Sequence, residues 1–239
     1  MSEAVLNGYT AEQVRAAEAP HLAAGEPLMQ VAAAGLAQAI ETILDERADG
    51  RPRPARILLL VGSGNNGGDT LFAGARLAAS GDEVTIVPVG SRLHEEGLAA
   101  ALAAGAQKAD VTSEFAGELA ANLAAEADVI VDGILGIGAG ADPSLRGMAR
   151  EVVAAIRPLT MRPDGPRVVA VDIPSGIDPD GGRVPDENVL AADLTVTFGG
   201  CKAGLLLAPA SEYAGRIEVV DVGLGADLAR MEPAISVRN

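Results

Sequence analysis

The chain has 239 residues, a formal net charge of −15, 49% apolar and 21% charged residues, one cysteine and no tryptophan. This composition suits a globular domain with a sizeable core and excludes a disordered chain, and without a basic run it argues against nucleic acid or an anionic membrane surface as a partner. Cys201 has no second cysteine to pair with, Met1-Ser2-Glu3-Ala4-Val5 lacks the features of a secretion signal, and no stretch approaches the roughly 20 apolar residues that span a bilayer, so a cytoplasmic protein is expected.

Thr10 to Ile43 reads as helical, with Thr10 as N-cap and Glu12 and Gln13 in the first turn. Pro20, Gly25 and Pro27 predict a break, with Met29 to Ile43 packing on a sheet. Arg51-Pro52-Arg53-Pro54 reads as a connector. Runs at Ile57 to Val61, Val84 to Val89, Val129 to Asp132, Val168 to Asp172 and Leu194 to Phe198 read as strands, with Ile217 to Val220 a further candidate. Several are nearly all apolar, as strands covered on both faces require. Helical stretches at Leu71 to Ser80, Leu93 to Ala104, Glu114 to Ala125 and Met148 to Ile156 lie between them. The alternation predicts an α/β fold with a mainly parallel sheet, right-handed crossovers and helices on both faces. With no repeat or linker, one domain over residues 1–239 is expected, with a helical part at about 10–45 and a sheet core at about 55–224.

The first predicted strand runs into Gly62-Ser63-Gly64-Asn65-Asn66-Gly67-Gly68-Asp69. Glycines in this position let backbone N–H groups approach a phosphate. Gly62, Gly64 and Gly67 also satisfy the dinucleotide fingerprint G-x-G-x-x-G. Against a dehydrogenase stand Asp69, whose carboxylate would repel a pyrophosphate at a helix N-terminus, and the lack of an evident ribose-binding acid further on. Arg92, suited to a 2′-phosphate, keeps that reading open. So does a bland one, in which Asp69 only caps a helix.

Two later strands end in an acid. Asp132 opens into Gly133-Ile134-Leu135-Gly136-Ile137-Gly138-Ala139-Gly140, and Asp172 into Ile173-Pro174-Ser175-Gly176-Ile177-Asp178. Ligands of open parallel sheets bind outside the carboxyl ends of the strands, so Asp132, Asp172 and the loop of Asn65, Asn66 and Asp69 should converge. Such a rim of oxygens suits a hard cation, and there is no His or Cys cluster for a soft metal.

Gly64 to Asp69, Asp172-Ile173-Pro174-Ser175-Gly176 and Phe198-Gly199-Gly200-Cys201-Lys202-Ala203-Gly204 occur in an order and spacing that resemble the YjeF N-terminal domain family, the NAD(P)H-hydrate epimerases. Thr10, Gln13, Arg15 and Glu18, with Leu28-Met29 and Ala34-Gly35, resemble its opening helices. Asp193 to Phe198 and Val220 to Gly223 resemble its last strands, so the similarity spans residues 9 to 224. The resemblance implies a Rossmann-like three-layer αβα sandwich and epimerisation of NADHX and NADPHX, the hydrated reduced cofactors, in nucleotide repair. It implies one K⁺ per subunit held by Asn66, Asp132 and Ser175. Substrate contacts fall on Asn65, Asn66, Gly67, Gly68 and Asp69, on Gly136, Ile137, Gly138, Ala139, Gly140, Ala141 and Asp142, and on Asp172. Members often form dimers, and many are fused to a C-terminal dehydratase; the chain stops at Asn239, so a separate dehydratase is the expected pathway partner.

Four positions depart from the family pattern: Ser63 for a common Pro, Thr70 for a frequent Gly, Ile137 where the third motif carries a hydroxyl, and Gly200-Cys201 for Ala-Pro. The expected catalytic pair is Asp172, as acid/base on a carbinolamine carbon, and Lys202, which offsets the crowded carboxylates unless it is only an exposed loop lysine. A non-catalytic binding module of the same fold is the alternative function. His21 and His94 read as surface or helix-packing residues, Cys201 as a buried small residue, and Glu95-Glu96 as a solvated helix start.

Overall fold

The computed structural model of the chain describes residues 5–46, 54–138, 140 and 142–238. Residues 51–53 of the predicted connector, residues 1–4 of the leader reading, and Ala139 and Ala141 of the expected substrate segment lie outside them.

Strand β1 (Val5–Tyr9) precedes helices α1 (Ala11–Ala23) and α2 (Leu28–Glu46). The expected cap is present and reciprocal. Thr10 Oγ1 accepts from Gln13 N at 3.1 Å, and Gln13 Oε1 accepts from Thr10 N at 2.9 Å, which satisfies two N–H groups at the start of α1. Pro20 lies near the end of α1 without stopping it. The break falls at Gly25, whose φ of 75° turns the chain into α2. Among the described residues no single helix is long and apolar enough to cross a membrane.

The chain then alternates: β2 (Arg56–Val61), α3 (Asn65–Ala79), β3 (Glu83–Pro88), α4 (Glu95–Ala103), β4 (Gln107–Lys108), α5 (Ala116–Glu126), β5 (Val129–Gly133), α6 (Gly147–Thr160), β6 (Arg167–Val171), β7 (Leu194–Phe198), β8 (Cys201–Lys202) and β9 (Arg216–Val220). Seven of these strands form one sheet in the order β4-β3-β2-β5-β6-β7-β9, and every neighbouring pair is parallel. Successive residues of β2 serve opposite faces. Ile57, Leu59 and Val61 meet Leu36, Ile40, Leu71 and Leu77 of α2 and α3. Leu58 and Leu60 meet Ala120, Val152 and Ile156 of α5 and α6. The three-layer sandwich follows from that two-sided burial.

Four features differ from expectation, the first being the short edge strand β4, which no apolar run announces. Helix α3 begins at Asn65 rather than Leu71, so most of the glycine-rich motif is helix. A small second sheet joins β1 antiparallel to β10 (Ile235–Arg238) and parallel to β8, with Gly8 opposite Cys201 and Tyr9 opposite Lys202. A short helix α7 (Gly225–Leu228) leads toward β10. The chain leaves β2 towards β3 on one side and returns to β5 on the other. That reversal opens a crevice at the carboxyl ends of β2 and β5, where ligands of such sheets bind.

Candidate active site

The turn after β2 spans only Gly62 to Gly64. A Cβ on Gly62 would sit 1.9 Å from the Ile134 carbonyl oxygen, so glycine is needed for the loops after β2 and β5 to touch. Gly64 is the N-cap of α3 and supplies no side-chain cap, which leaves first-turn N–H groups facing the crevice. Asp69 lies a full turn inside α3, so the helix-capping reading of Asp69 does not hold.

Two cavities meet at this crevice. The larger, about 780 Å³, is lined by residues 62–66, Gly90, residues 134–138 and, across from them, Arg15, Asp142 and Arg146. That volume suits a ligand of nucleotide size. The smaller, about 140 Å³, is lined by Glu18, Met29, Asp69, Asp172, Phe198 and Lys202 among others, close to the volume that admits a benzene-sized ring in a protein core. Glu18, Asn65, Asn66 and Ile137 line both.

Asp172 follows β6 by one residue and is the one non-glycine with positive φ (68°) among the described residues. Aspartate tolerates this left-handed conformation better than most side chains. Its N–H donates to the Val196 carbonyl at 2.7 Å, which holds the turn in place. Oδ1 accepts from Thr197 Oγ1 at 3.1 Å and forms an ion pair with Lys202 Nζ. Lys202 Nζ also donates to the Phe198 carbonyl at 2.9 Å. Lys202 is 1% exposed, so the exposed-loop reading fails: pairing of β8 with β1 carries the side chain inward.

Three carboxyl groups share this small cavity with one lysine. Asp69 is 5% exposed, and its Oδ1 has no hydrogen-bond partner. Burial, reinforced by the Asp172 and Glu18 charges and opposed by Lys202, pushes its pKa up to about 8. Burial also raises Glu18, although Lys202 pulls it the other way.

The second acidic group is arranged differently. Asp132, at the end of β5, is 1% exposed. Oδ1 accepts from Ser175 Oγ at 2.6 Å and Oδ2 from Ser175 N at 2.8 Å. Burial raises its pKa more than those hydrogen bonds lower it. Leu135 links the remaining partner. Its N–H donates to Ser175 Oγ at 2.9 Å, and its carbonyl accepts from Asn66 Nδ2 at 3.2 Å. Asn66 Nδ2 also donates to the Val171 carbonyl at 2.6 Å, so the amide oxygen faces Gly136, where a Cβ would lie 2.2 Å from it. Among the described residues no basic side chain hydrogen bonds to Asp132, and the donor set is oxygen throughout. This chemistry fits a hard monovalent cation. Among the described residues no group of three or more His, Cys, Asp or Glu is placed to hold a metal.

The outer residues of the expected substrate segment are exposed. Asp142 accepts from Ser144 N at 3.1 Å and pairs with Arg146, and these contacts hold its pKa at about 2. Gly138 and Gly140 are also exposed. Arg15 and Glu18, which the sequence reading linked to the family but to no role, line the crevice, and Arg15 donates to the Ile137 carbonyl at 2.5 Å. The departures are absorbed locally. Thr70 Oγ1 donates to the Asn66 carbonyl at 2.6 Å, Ser63 Oγ accepts from Arg92 N at 3.3 Å, and Cys201 is buried opposite Gly8. The histidines serve structure: His94 Nδ1 accepts from Gly97 N at 3.1 Å as the cap of α4, and His21 bonds Glu26 and Asp227.

Residues 25–204 match the family model of the YjeF-related protein N-terminus. A curated NAD(P)H-hydrate epimerase of Clavibacter michiganensis is 48% identical over 233 residues, covering 97% of this chain and 96% of its own. One from Microbacterium testaceum is 48% identical, covering 95% and 83%. The bifunctional NAD(P)H-hydrate repair enzyme Nnr of Mycobacterium tuberculosis is 40% identical over 94% of this chain but only 42% of its own length. The crystal structure of the yeast protein YNL200c superposes with a TM-score of 0.68 at 19% identity, covering 90% of this chain and 87% of that one, a likeness of fold.

Proposed function

This chain belongs to the YjeF-related N-terminal family, and from that membership we propose that it is an NAD(P)H-hydrate epimerase, an isomerase that interconverts (R)- and (S)-NADHX and NADPHX in cofactor repair. The observation that carries the reading is the buried Asp172–Lys202 pair in a ring-sized cavity that opens into a nucleotide-sized one. In this reading the pyrophosphate lies along the uncapped start of α3, and the hydrated ring reaches Asp172.

The reacting carbon carries a hydroxyl next to the ring nitrogen. Once the hydroxyl is protonated, the nitrogen lone pair expels it as water. Water then returns to the opposite face and loses a proton, so atoms, charge and oxidation state are unchanged. Asp172 exchanges protons with that oxygen, and Lys202 holds its carboxylate in place. Asn66, Asp132 and Ser175 would hold K⁺, which when bound would supply a positive charge beside the buried Asp132 carboxylate, while their hydrogen bonds tie together the loops that carry Leu135 and Ser175. A cytoplasmic setting, a homodimer and a dehydratase as pathway partner complete the proposal. The bifunctional repair enzyme of Mycobacterium tuberculosis supports a second activity coupled to this one.

The test offers (R)-NADHX and follows (R)/(S) interconversion by chromatography, with and without K⁺. The expected result is equilibration well above the spontaneous rate, faster with K⁺. Asp172→Asn should cut turnover by about 10²–10⁴-fold while retaining the wild-type circular dichroism spectrum. No acceleration with either NADHX or NADPHX would favour a non-catalytic binding module.

A further inference from the structure

We infer that Asp69 is a second catalytic residue, the proton donor to the leaving hydroxyl, working opposite Asp172 as the proton acceptor; this rests on the epimerase reading above. Inversion through loss and return of water needs two proton transfers, one to the departing oxygen and one from the arriving oxygen. The small cavity holds two aspartates in contrasting environments. The Asp172 carboxylate accepts from Thr197 and is paired with Lys202. Asp69 reaches the same cavity from α3, and its Oδ1 is buried without any partner.

The groups facing Asp69 explain the contrast. Glu18 approaches from α1 with Arg15 nearby, Asp172 from the turn after β6, and Lys202 from β8, while α2 contributes Met29 and Ala32. One lysine cannot neutralise three carboxyl groups. Its Nζ is committed to Asp172 and the Phe198 carbonyl, so Asp69 keeps its proton at neutral pH and has it available for transfer.

The bonds balance. Asp69 gives its proton to the hydroxyl, the carbon–oxygen bond breaks, and water departs as the ring nitrogen supplies an electron pair. Water adds to the other face, and the proton it sheds goes to Asp172. The enzyme is then set for the reverse conversion, and proton exchange with solvent restores the starting state.

The test is the pH profile of kcat/KM for wild type, Asp69→Asn and Asp69→Glu. Wild-type activity should fall with an alkaline limb centred near pH 8, where Asp69 loses its proton. Asp69→Asn should lose about a hundredfold or more and lack that limb. Asp69→Glu should recover part of the rate and show a limb again. A limb that persists in a folded Asp69→Asn variant, or activity within tenfold of wild type, overturns the assignment while leaving the epimerase reading intact. Failure of wild type to epimerise either hydrate overturns both.

Stability gives a readout that turnover does not. The carboxyl ionises near 3.8 when unfolded and near 8 when folded. Between those values the folded state retains a proton that the unfolded state has released, so stability falls as pH rises through this window. The advantage of Asp69→Asn in melting temperature should therefore grow from pH 4 to pH 8. A pH-independent difference counts against a neutral Asp69. Should the variant fail to fold, infrared titration of the wild-type carboxyl band decides: ionisation complete by pH 5 overturns the proposal.

Discussion

Two buried aspartates, Asp69 within α3 and Asp132 at the end of β5, differ in what surrounds them. Asp132 is 1% exposed and Asp69 5%, so burial alone does not separate them. Asp132 is enclosed in a hydrogen-bonded corner with Ser175, Leu135 and Asn66, where both carboxylate oxygens are satisfied. Asp69 shares a cavity with Glu18, Asp172 and Lys202 and has an oxygen that meets no donor. A saturated corner holds loops in one arrangement, whereas a carboxyl oxygen left free beside an ion pair is open to a ligand in the cavity. Partners, more than depth, separate a structural carboxylate from a chemical one.

The comparison makes Lys202 the most sensitive point on the reactive side. Lys202→Met leaves Asp172 buried without its cation, which should cost about 3–5 kcal/mol, or roughly 6–20 °C in melting temperature. Adding Asp172→Asn should recover a sizeable part of that loss, as a double-mutant cycle would measure. If single and double variants melt alike, the pair is not coupled as the geometry requires.

On the saturated side the expected effect is smaller. Ser175→Ala removes a donor to Asp132 and an acceptor for Leu135 N, at a cost of about 1–3 kcal/mol. The K⁺ concentration for half-maximal activity should rise in the same variant. A lowered melting temperature with an unchanged K⁺ titration would assign this corner to structure alone. The smallest effect is expected at Ile137, which lines both cavities without a polar side-chain atom. Ile137→Thr should lower KM by roughly 2–5-fold with little change in kcat, the worth of one modest hydrogen bond. A higher KM would show that the apolar contact matters more.

Much of the fold was legible because the strands of the large sheet are covered on both sides and read as apolar runs. Five of the expected strands lie within one residue of those observed, and Leu194–Phe198 coincides. The start of α3 was not legible. Asn65, Asn66, Gly67 and Gly68 are weak helix formers, and packing against α2 and β5 overrides that preference. The strand β10 was hidden for another reason. Ile235–Arg238 is short, and its partner β1 lies at the other end of the chain.

The sequence by itself determined the alternation of strand and helix, the convergence of Asn66, Asp69, Asp132, Asp172 and Ser175 at one edge, and the family. Local pattern and the rule that parallel strands end on the ligand side are enough for that. Only the tertiary structure decided that Lys202 is buried, that its Nζ donates to Asp172 and the Phe198 carbonyl, and that Asp69 Oδ1 is left without a hydrogen-bond partner. Those facts depend on β8 pairing with β1 and on α1 folding over the crevice, contacts between segments more than a hundred residues apart. The energy of a buried charge is set by which groups such contacts bring near it, and that information is spread over the whole chain.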